Sequence, residues 1–459
     1  LIALCVLALG AASASASGTW LGETDVSPSG QNSLAPRAAI DSEGNLIAIW
    51  EHSASTGVIE AATRASSGTW STPSSLSESA HTATSQSVVA DSKGDAVAVW
   101  KHSNGSETIV QASVRSASSG SWGAVANLSL TGHSASAPQV AIDSRGDAVA
   151  VWQRSNGSNT IVQASERPAS SGTWSAPVNV SVSGNNASNP QVAFDSEGDA
   201  VAIWNYENGN QLVQASVLAA GSETWQTPVQ ISESSWSSFE PQLAAGPNGT
   251  AVAVWRRTNG ISGEFIQAAR LSGGAWQAPV ELSATGQNSE SPHVAIDAEG
   301  EALATWRRYD GSDNVIQATA LPTSSGTWQT PVTLSVSESG RNALYPTIAV
   351  DSQGNALVAW ERWNGSAYIV QAAARPISSG TWQSPVNLSE TGQSARAVQL
   401  VANAPGDFVA VWERWNGSDE IIQADRYAGA GPALNDLSIP ASASSGTSLS
   451  FSVSPLDAW

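Results

Sequence analysis

The sequence predicts an all-β chain folded as an eight-bladed β-propeller of four-stranded antiparallel blades, and three observations predict it. A segment of the type SGTW recurs with its tryptophan at Trp20, Trp70, Trp122, Trp174, Trp225, Trp276, Trp328 and Trp382. A second, of the type DAVAVW, ends at Trp50, Trp100, Trp152, Trp204, Trp255, Trp306, Trp360 and Trp412. The unit repeats every 50 to 54 residues, and none of it carries a helical period. Four short strands per repeat match a propeller blade; a linear array would need polar caps at both ends, which the sequence does not offer.

One unit, 138–181, justifies each strand. Pro138 to Asp143 is a short first strand, and Ser144-Arg145-Gly146 is a turn in which Gly146 supplies the positive φ. Ala148 to Arg154 alternates Ala148, Ala150 and Trp152 with Val149 and Val151, so both faces are expected to be buried. Asn156-Gly157 signals a type I′ hairpin, Thr160 to Ser165 a third strand, and Thr173 to Val180 a fourth. The chain opens on a lone fourth strand (Gly18 to Val26) and ends its repeats on a first-second-third set (Gln399 to Tyr427). Pairing the two would complete the eighth blade and remove two open sheet edges, so the propeller is expected to span 18–428 with its ring closed by the N-terminal strand.

Outside that span, residues 1–16 combine an apolar run too short for a bilayer with small-x-small sites at Ala12-Ser13-Ala14 and Ala14-Ser15-Ala16, the pattern of a partial secretory signal. The only cysteine, Cys5, lies in that run, and Leu4 before it disfavours lipid attachment. A mature chain without it would need core burial rather than disulfides in an oxidising, extracellular setting. Residues 429–433 read as a linker, and 434–459 alternate like the truncated start of an Ig-like domain of the PKD type. The chain is expected to be a fragment at both ends.

Charge excludes further classes. The 459 residues carry 39 acidic and 19 basic side chains, a net charge of −20, which repels nucleic acid and anionic membrane. No membrane span, no nucleic-acid partner, no metal and no cofactor are expected, and the molecule should be a monomer.

The run Pro168-Ala169-Ser170-Ser171-Gly172-Thr173-Trp174-Ser175-Ala176-Pro177-Val178 resembles the turn and final strand of Asp-box (BNR) repeats in sialidase-like propellers. A Ser/Asp/Gly-rich turn leads there too into Thr-Trp and then Pro-Val. Serine replaces the defining aspartate here, and the glycine stands one residue closer to the tryptophan. Asp-boxes are structural turns, so the resemblance implies fold, not chemistry. Kelch repeats are excluded because paired glycines after the second strand are missing. The docking motif of quinoprotein dehydrogenases does not fit the spacing of Asp143, Gly146 and Trp152.

Sorting residues by propeller face locates candidate chemistry. Turns between first and second strands carry Asp41, Asp91, Asp143, Asp195, Asp297 and Asp351, which makes one face acidic but supplies too few oxygens for calcium. The opposite face receives the second-to-third turns and the blade connections. There a basic row stands two residues beyond each second-strand tryptophan, including Arg257, Arg308, Arg362 and Arg414. These arginines either pair with neighbouring blades as a structural device or hold a carboxylate or sulfate. Trp236, Trp363 and Trp415, with Tyr309 and Tyr345, map to the same face; they either pack over turns or stack on sugar rings. A sialidase-like site would need an arginine triad, a Tyr/Glu pair and an acid, for which Arg257, Arg308, Arg362, Tyr309, Glu361 and Asp310 are candidates. Blades of near-constant length leave no long loop to build a pocket. The expected function is therefore a secreted or cell-surface binding module for an extracellular polysaccharide or protein. A sialidase-like hydrolase or lyase and a ligand-free spacer are the alternatives.

Overall fold

The computed structural model describes residues 18–428 except 54, 55, 259, 261, 262, 337, 404 and 405. The expectations for 1–16, 429–433 and 434–459 lie outside the described residues. Among the described residues there is no helix, and eight antiparallel sheets form eight blades in a ring. Inner strands run Asn32–Ile40, Ala83–Ala90, Ala135–Ile142, Ala187–Phe194, Ser238–Ala245, Ser289–Ile296, Ala343–Val350 and Ala395–Ala402, numbered here as blades 1 to 8. Each inner strand packs against the inner strands on either side, blade 8 against blade 1 included. The ring closes as expected. Thr19–Trp20 and Thr24–Asp25 pair with the third strand of blade 8, Glu420–Ala428, so residues 19–25 supply its outer strand.

The eight second-strand tryptophans account for the core. All are fully buried, each between its own sheet and a neighbour's alanines and valines. Across the strand from each stands a glutamine, or Glu60 in blade 1; the Trp100 and Trp255 indole N–H groups donate to Gln111 and Gln267 at 3.1 and 3.3 Å. The SGTW tryptophans are only partly buried, sealing the outer end of the inter-blade clusters.

The fourth strand departs from the expected Thr173–Val180. Only Val178–Asn179 pair in blade 3, and pairs of the same length occur in every blade. Pro177 has no N–H to donate and interrupts the ladder on its N-terminal side. What holds the outer edge instead is a recurring serine. Ser27, Ser77, Ser129, Ser181, Ser232, Ser283, Ser335 and Ser389 each follow a buried aliphatic residue and accept a third-strand N–H at 2.8–2.9 Å. The turn at Asn156 also differs from a two-residue I′ hairpin. Ser155 pairs with Thr160 across a four-residue loop, in which the Asn156 side chain accepts the N–H groups of Ser158 and Asn159. Only Gly157 there has positive φ, at 96°.

Candidate functional site

Inner strands carry a bulge that shapes one mouth of the central channel. In every blade the register slips near the start of the inner strand, between Leu34 and Arg37 in blade 1 and between Leu344 and Thr347 in blade 7. The residue at the slip has φ near +50°: Ala35, Ser85, Ala137, Asn189, Glu240, Ser291, Tyr345 and Ala397. Six of these precede a proline. Left-handed backbone is costly for non-glycine residues and persists only where the surroundings enforce it. In three blades the contact that holds it comes from the side chain just after the second-strand tryptophan, which reaches into the next blade. Glu413 accepts the Ala35 N–H at 2.6 Å, Gln153 that of Asn189 at 3.1 Å, and Glu361 that of Ala397 at 2.8 Å.

Blades 5 to 8 break the uniformity of this ring. Blades 2 to 4 place Thr84, Ser85, Ser136, Ala137, Ser188 and Asn189 at the slip, all small and neutral. The corresponding pairs in blades 5 to 8 are Phe239-Glu240, Glu290-Ser291, Leu344-Tyr345 and Arg396-Ala397. The residue after the tryptophan becomes Arg256 in blade 5 and Arg307 in blade 6. Arginine cannot accept an N–H, and Glu240 takes over by accepting that of Ser291 at 3.0 Å. Arg256 lies 3.3 Å from Glu240, bonds Glu264, and stacks over Phe239 at 4.9 Å. Arg307 bonds Glu290 and stands over the Tyr345 ring at 5.9 Å, while Arg396 covers Tyr368 at 4.7 Å.

Of these residues Glu240, Ser291, Tyr345 and Ala397 line a cavity of about 430 Å³ at the channel mouth, walled by the inner strands of blades 5 to 8 and by Glu361. Tyr345 is its most open large side chain, 56% exposed. Burial raises the Glu361 carboxyl above its ordinary range despite its hydrogen bond from Ala397 and nearby Arg396, and Glu413 pushes the same way. Burial likewise raises Glu264, Glu51 and Glu420; Glu413 adds to the last two. One step deeper, the channel is lined by Ser87, Gln139, Gln191, Gln242, Thr347 and Gln399, with Arg37 and His293 as the two titratable exceptions. Desolvation in the channel wall lowers the His293 imidazole to about 4, and the Arg37 charge contributes. Among the described residues no group of His, Cys, Asp and Glu is arranged to hold a metal ion.

The residues singled out from sequence divide by position. Arg257, Arg362 and Arg414 are buried in the blades rather than in the channel. Arg257 bonds Glu233 and donates to Ser235 at 2.8 Å; Arg414 meets Glu390 at 3.0 Å and Gln393 at 2.9 Å. Arg362 bonds the Val336 carbonyl, and Arg308 donates to Ala284 O at 3.0 Å and Gln287 at 3.1 Å. Each arginine thus clamps the connection entering its own blade. Trp236 and Trp415 are each 39% exposed at the rim, Tyr309 is exposed with its hydroxyl donated to Gly311 O at 2.8 Å, and Trp363 sits edge-on to Tyr368 at 5.2 Å. Asp310 accepts the N–H groups of Ser312 and Asp313 within its own turn. Only Tyr345 and Glu361 of the named residues line the cavity. Arg256, Arg307, Glu240, Glu290 and Arg396 were missed. Their signal was available one residue beyond the tryptophan and at the slip, where repeats differ most.

On the opposite face the aspartates are turn-formers. Asp143, for example, accepts the N–H groups of Arg145 and Asp147 at 2.9 and 2.8 Å, and the same bonds recur at Asp41, Asp91, Asp195, Asp297 and Asp351.

No protein-family model matches the chain, and neither does any curated protein. Among solved structures, a lectin from Burkholderia pseudomallei aligns with 78% of this chain and 100% of its own at 15% identity and a TM-score of 0.51. An ulvan lyase aligns at 11% identity over 73% of this chain and 90% of its own, TM-score 0.49. The NanB sialidase from Streptococcus pneumoniae aligns at 10% identity over 74% and 67%, TM-score 0.40. At 15% identity the lectin's likeness concerns the fold alone, and the eight blades are read from the sheet topology of this chain.

Proposed function

We propose that the protein is a secreted, non-catalytic glycan-binding propeller whose ligand occupies the channel mouth on the side of blades 5 to 8. The observation that carries this reading is local loss of the eightfold pattern. Four adjacent blades trade small neutral residues for aromatic rings and paired charges around one cavity, with Tyr345 presented to solvent. An exposed ring flanked by fixed hydrogen-bonding groups suits a pyranose, whose C–H face stacks while its hydroxyls find the rim. The rim aromatics Trp236, Trp363, Trp415 and Tyr309 lie on the same propeller face and would extend contacts to a longer chain. Secretion rests on the signal-like run at 1–16.

Binding is favoured over turnover because the carboxylates at the mouth already have work. Glu240 holds Arg256 and the Ser291 N–H, Glu290 holds Arg307, and Glu361 and Glu413 brace bulges. The raised Glu361 carboxyl beside Tyr345 is the one feature that favours a carbohydrate-active enzyme. A glycan array on wild type and Tyr345→Ala tests both. We expect saturable binding without product, weakened at least about tenfold by the substitution, as loss of an aromatic anchor implies. Unchanged binding in Tyr345→Ala refutes the mouth as the site, release of product supports the enzyme, and no binding to any glycan leaves a spacer.

A further inference from the structure

We infer that a second binding site, for an acidic sugar unit, lies in the outer groove between blades 5 and 6, with Arg270 as its anion hook. The groove encloses about 310 Å³, and its wall includes Arg270, Gln277 and Glu281 of blade 5 and Thr327 and Trp328 of blade 6. It is separate from the channel mouth and does not depend on the function proposed for it.

Arg270 is exceptional among its structural equivalents. It pairs with Val252, and the residues at the same register elsewhere are Thr63, Val114, Glu166, Val217, Ala320, Ala374 and Arg426. The other arginine, Arg426 in blade 8, is fully engaged: it bonds Asp407 and donates to the Ser66 carbonyl of blade 1 at 2.7 Å. In blade 5 the position of Asp407 is taken by Thr250, whose hydroxyl is turned to Pro247 O at 2.7 Å. No carboxylate among the described residues comes within ion-pair distance of Arg270, and its guanidinium makes no hydrogen bond there. A planar fork with five N–H donors and no acceptor is a ready partner for a carboxylate or sulfate.

The backbone shows why an opening exists at this place. Blades 1, 2, 3, 4 and 7 join third and outer strands by a longer turn that packs back on the blade's first-to-second turn. In blade 2 the Ala117 N–H of that turn donates to Asp95, and in blade 3 that of Ala169 donates to Asp147, both at 2.7 Å. Blade 5 instead has a two-residue hairpin, Gly273-Gly274, with Ser272 paired to Ala275 and both glycines at positive φ (61° and 79°). A turn this short cannot reach the first-to-second turn, where a side chain at Gly249 would meet nothing within 4 Å and the Asn248 and Gly249 N–H groups instead donate to Glu197 of blade 4 at 3.0 and 2.8 Å. The segment that would cover the end of the third strand is gone.

Chemistry on the wall defines the ligand. Arg270 takes the anion, the partly buried Trp328 indole offers an apolar edge to ring C–H groups, and Gln277 and Glu281 can pair with hydroxyls. A uronate and a sulfated sugar share that chemistry. The test is calorimetric titration of the full chain with three tetrasaccharides: oligogalacturonate, a sulfated oligogalactose, and neutral oligogalactose. We expect one acidic probe to bind more tightly than the neutral one, and Arg270→Gln to weaken it at least about tenfold with the melting temperature unchanged. Tyr345→Ala should leave that binding intact. The inference is overturned if neither acidic probe binds saturably, if the neutral probe binds as well, or if Arg270→Gln binds like wild type. Loss in Tyr345→Ala without loss in Arg270→Gln would move the ligand to the channel mouth and overturn it equally.

Discussion

Blades 2 to 4 and blades 5 to 8 are built on one plan and differ where it touches the channel. Both sets bury the second-strand tryptophan, anchor the outer edge with serine and place a left-handed residue at the inner-strand slip. In blades 2 to 4 that residue is Ser85, Ala137 or Asn189, and both residues at the slip are small and neutral. In blades 5 to 8 the same backbone carries Glu240, Tyr345 and the charged pairs of Arg256 and Arg307. The difference teaches that a costly conformation can be repeated for architecture and decorated for recognition in one sector only. Strain alone is therefore no marker of a site here; strain plus a change of side chain is.

The largest effect should come from attacking what both halves share. Deleting residues 18–27 removes the outer strand of blade 8, including buried Val26, the Ser27 hydroxyl that accepts the Ile422 N–H, and Trp20 edge-on to Tyr427 at 5.3 Å. Lost burial and hydrogen bonds together should exceed about 5 kcal/mol, read as a lower denaturant midpoint for the whole ring. A melt unchanged by the deletion would mean that closure is dispensable. Next in size, Trp100→Ala in blade 2 and Trp360→Ala in blade 7 should each cost about 3–5 kcal/mol, since both indoles are fully buried. Equal costs would show that the two halves differ in chemistry and not in framework; a much smaller cost in blade 7 would show that the decorated sector is also loosely packed.

The framework was legible because its signals are residue types with one dominant use. A tryptophan at fixed spacing has to be buried, and glycine in a tight turn relieves positive φ. The length of the outer strand was not legible, because alternation continues through Thr173 to Val180 while Pro177 removes the ladder bond that alternation implies. The slip was hidden for a sharper reason. A residue before proline is biased toward extended backbone, so Asn189-Pro190 or Tyr345-Pro346 reads as strand, yet both residues are left-handed, Asn189 with a hydrogen bond from its N–H to Gln153 of the neighbouring blade. The site followed the slip into obscurity. Tyr345 and Glu361 were found by residue type, but the arginines that face them stand one place from the row that sequence pattern emphasised, and that row clamps blade connections.

The smallest expected effect isolates a single departure from the ring. His293 stands in the channel where four other blades have glutamine, and its imidazole is lowered from the usual 6.5 to about 4. Because the folded state resists the proton that an unfolded chain would take up, stability is undiminished above pH 6.5 and declines as pH falls from 6.5 toward 4. The full loss amounts to at most about 3 kcal/mol, less where water in the channel screens the charge. Raised carboxyls such as Glu361 work in the opposite direction, since a folded state that holds its proton more tightly gains stability on acidification. His293→Gln restores the residue of blades 3, 4, 5 and 8 and removes only the first contribution. Thermal melts at pH 7 and pH 4.5 should then show a smaller acid penalty in the variant than in wild type, with the two proteins alike at pH 7. An equal penalty in both would place the acid sensitivity outside the channel and leave His293 as one more polar lining residue, no different in kind from Gln242 beside it.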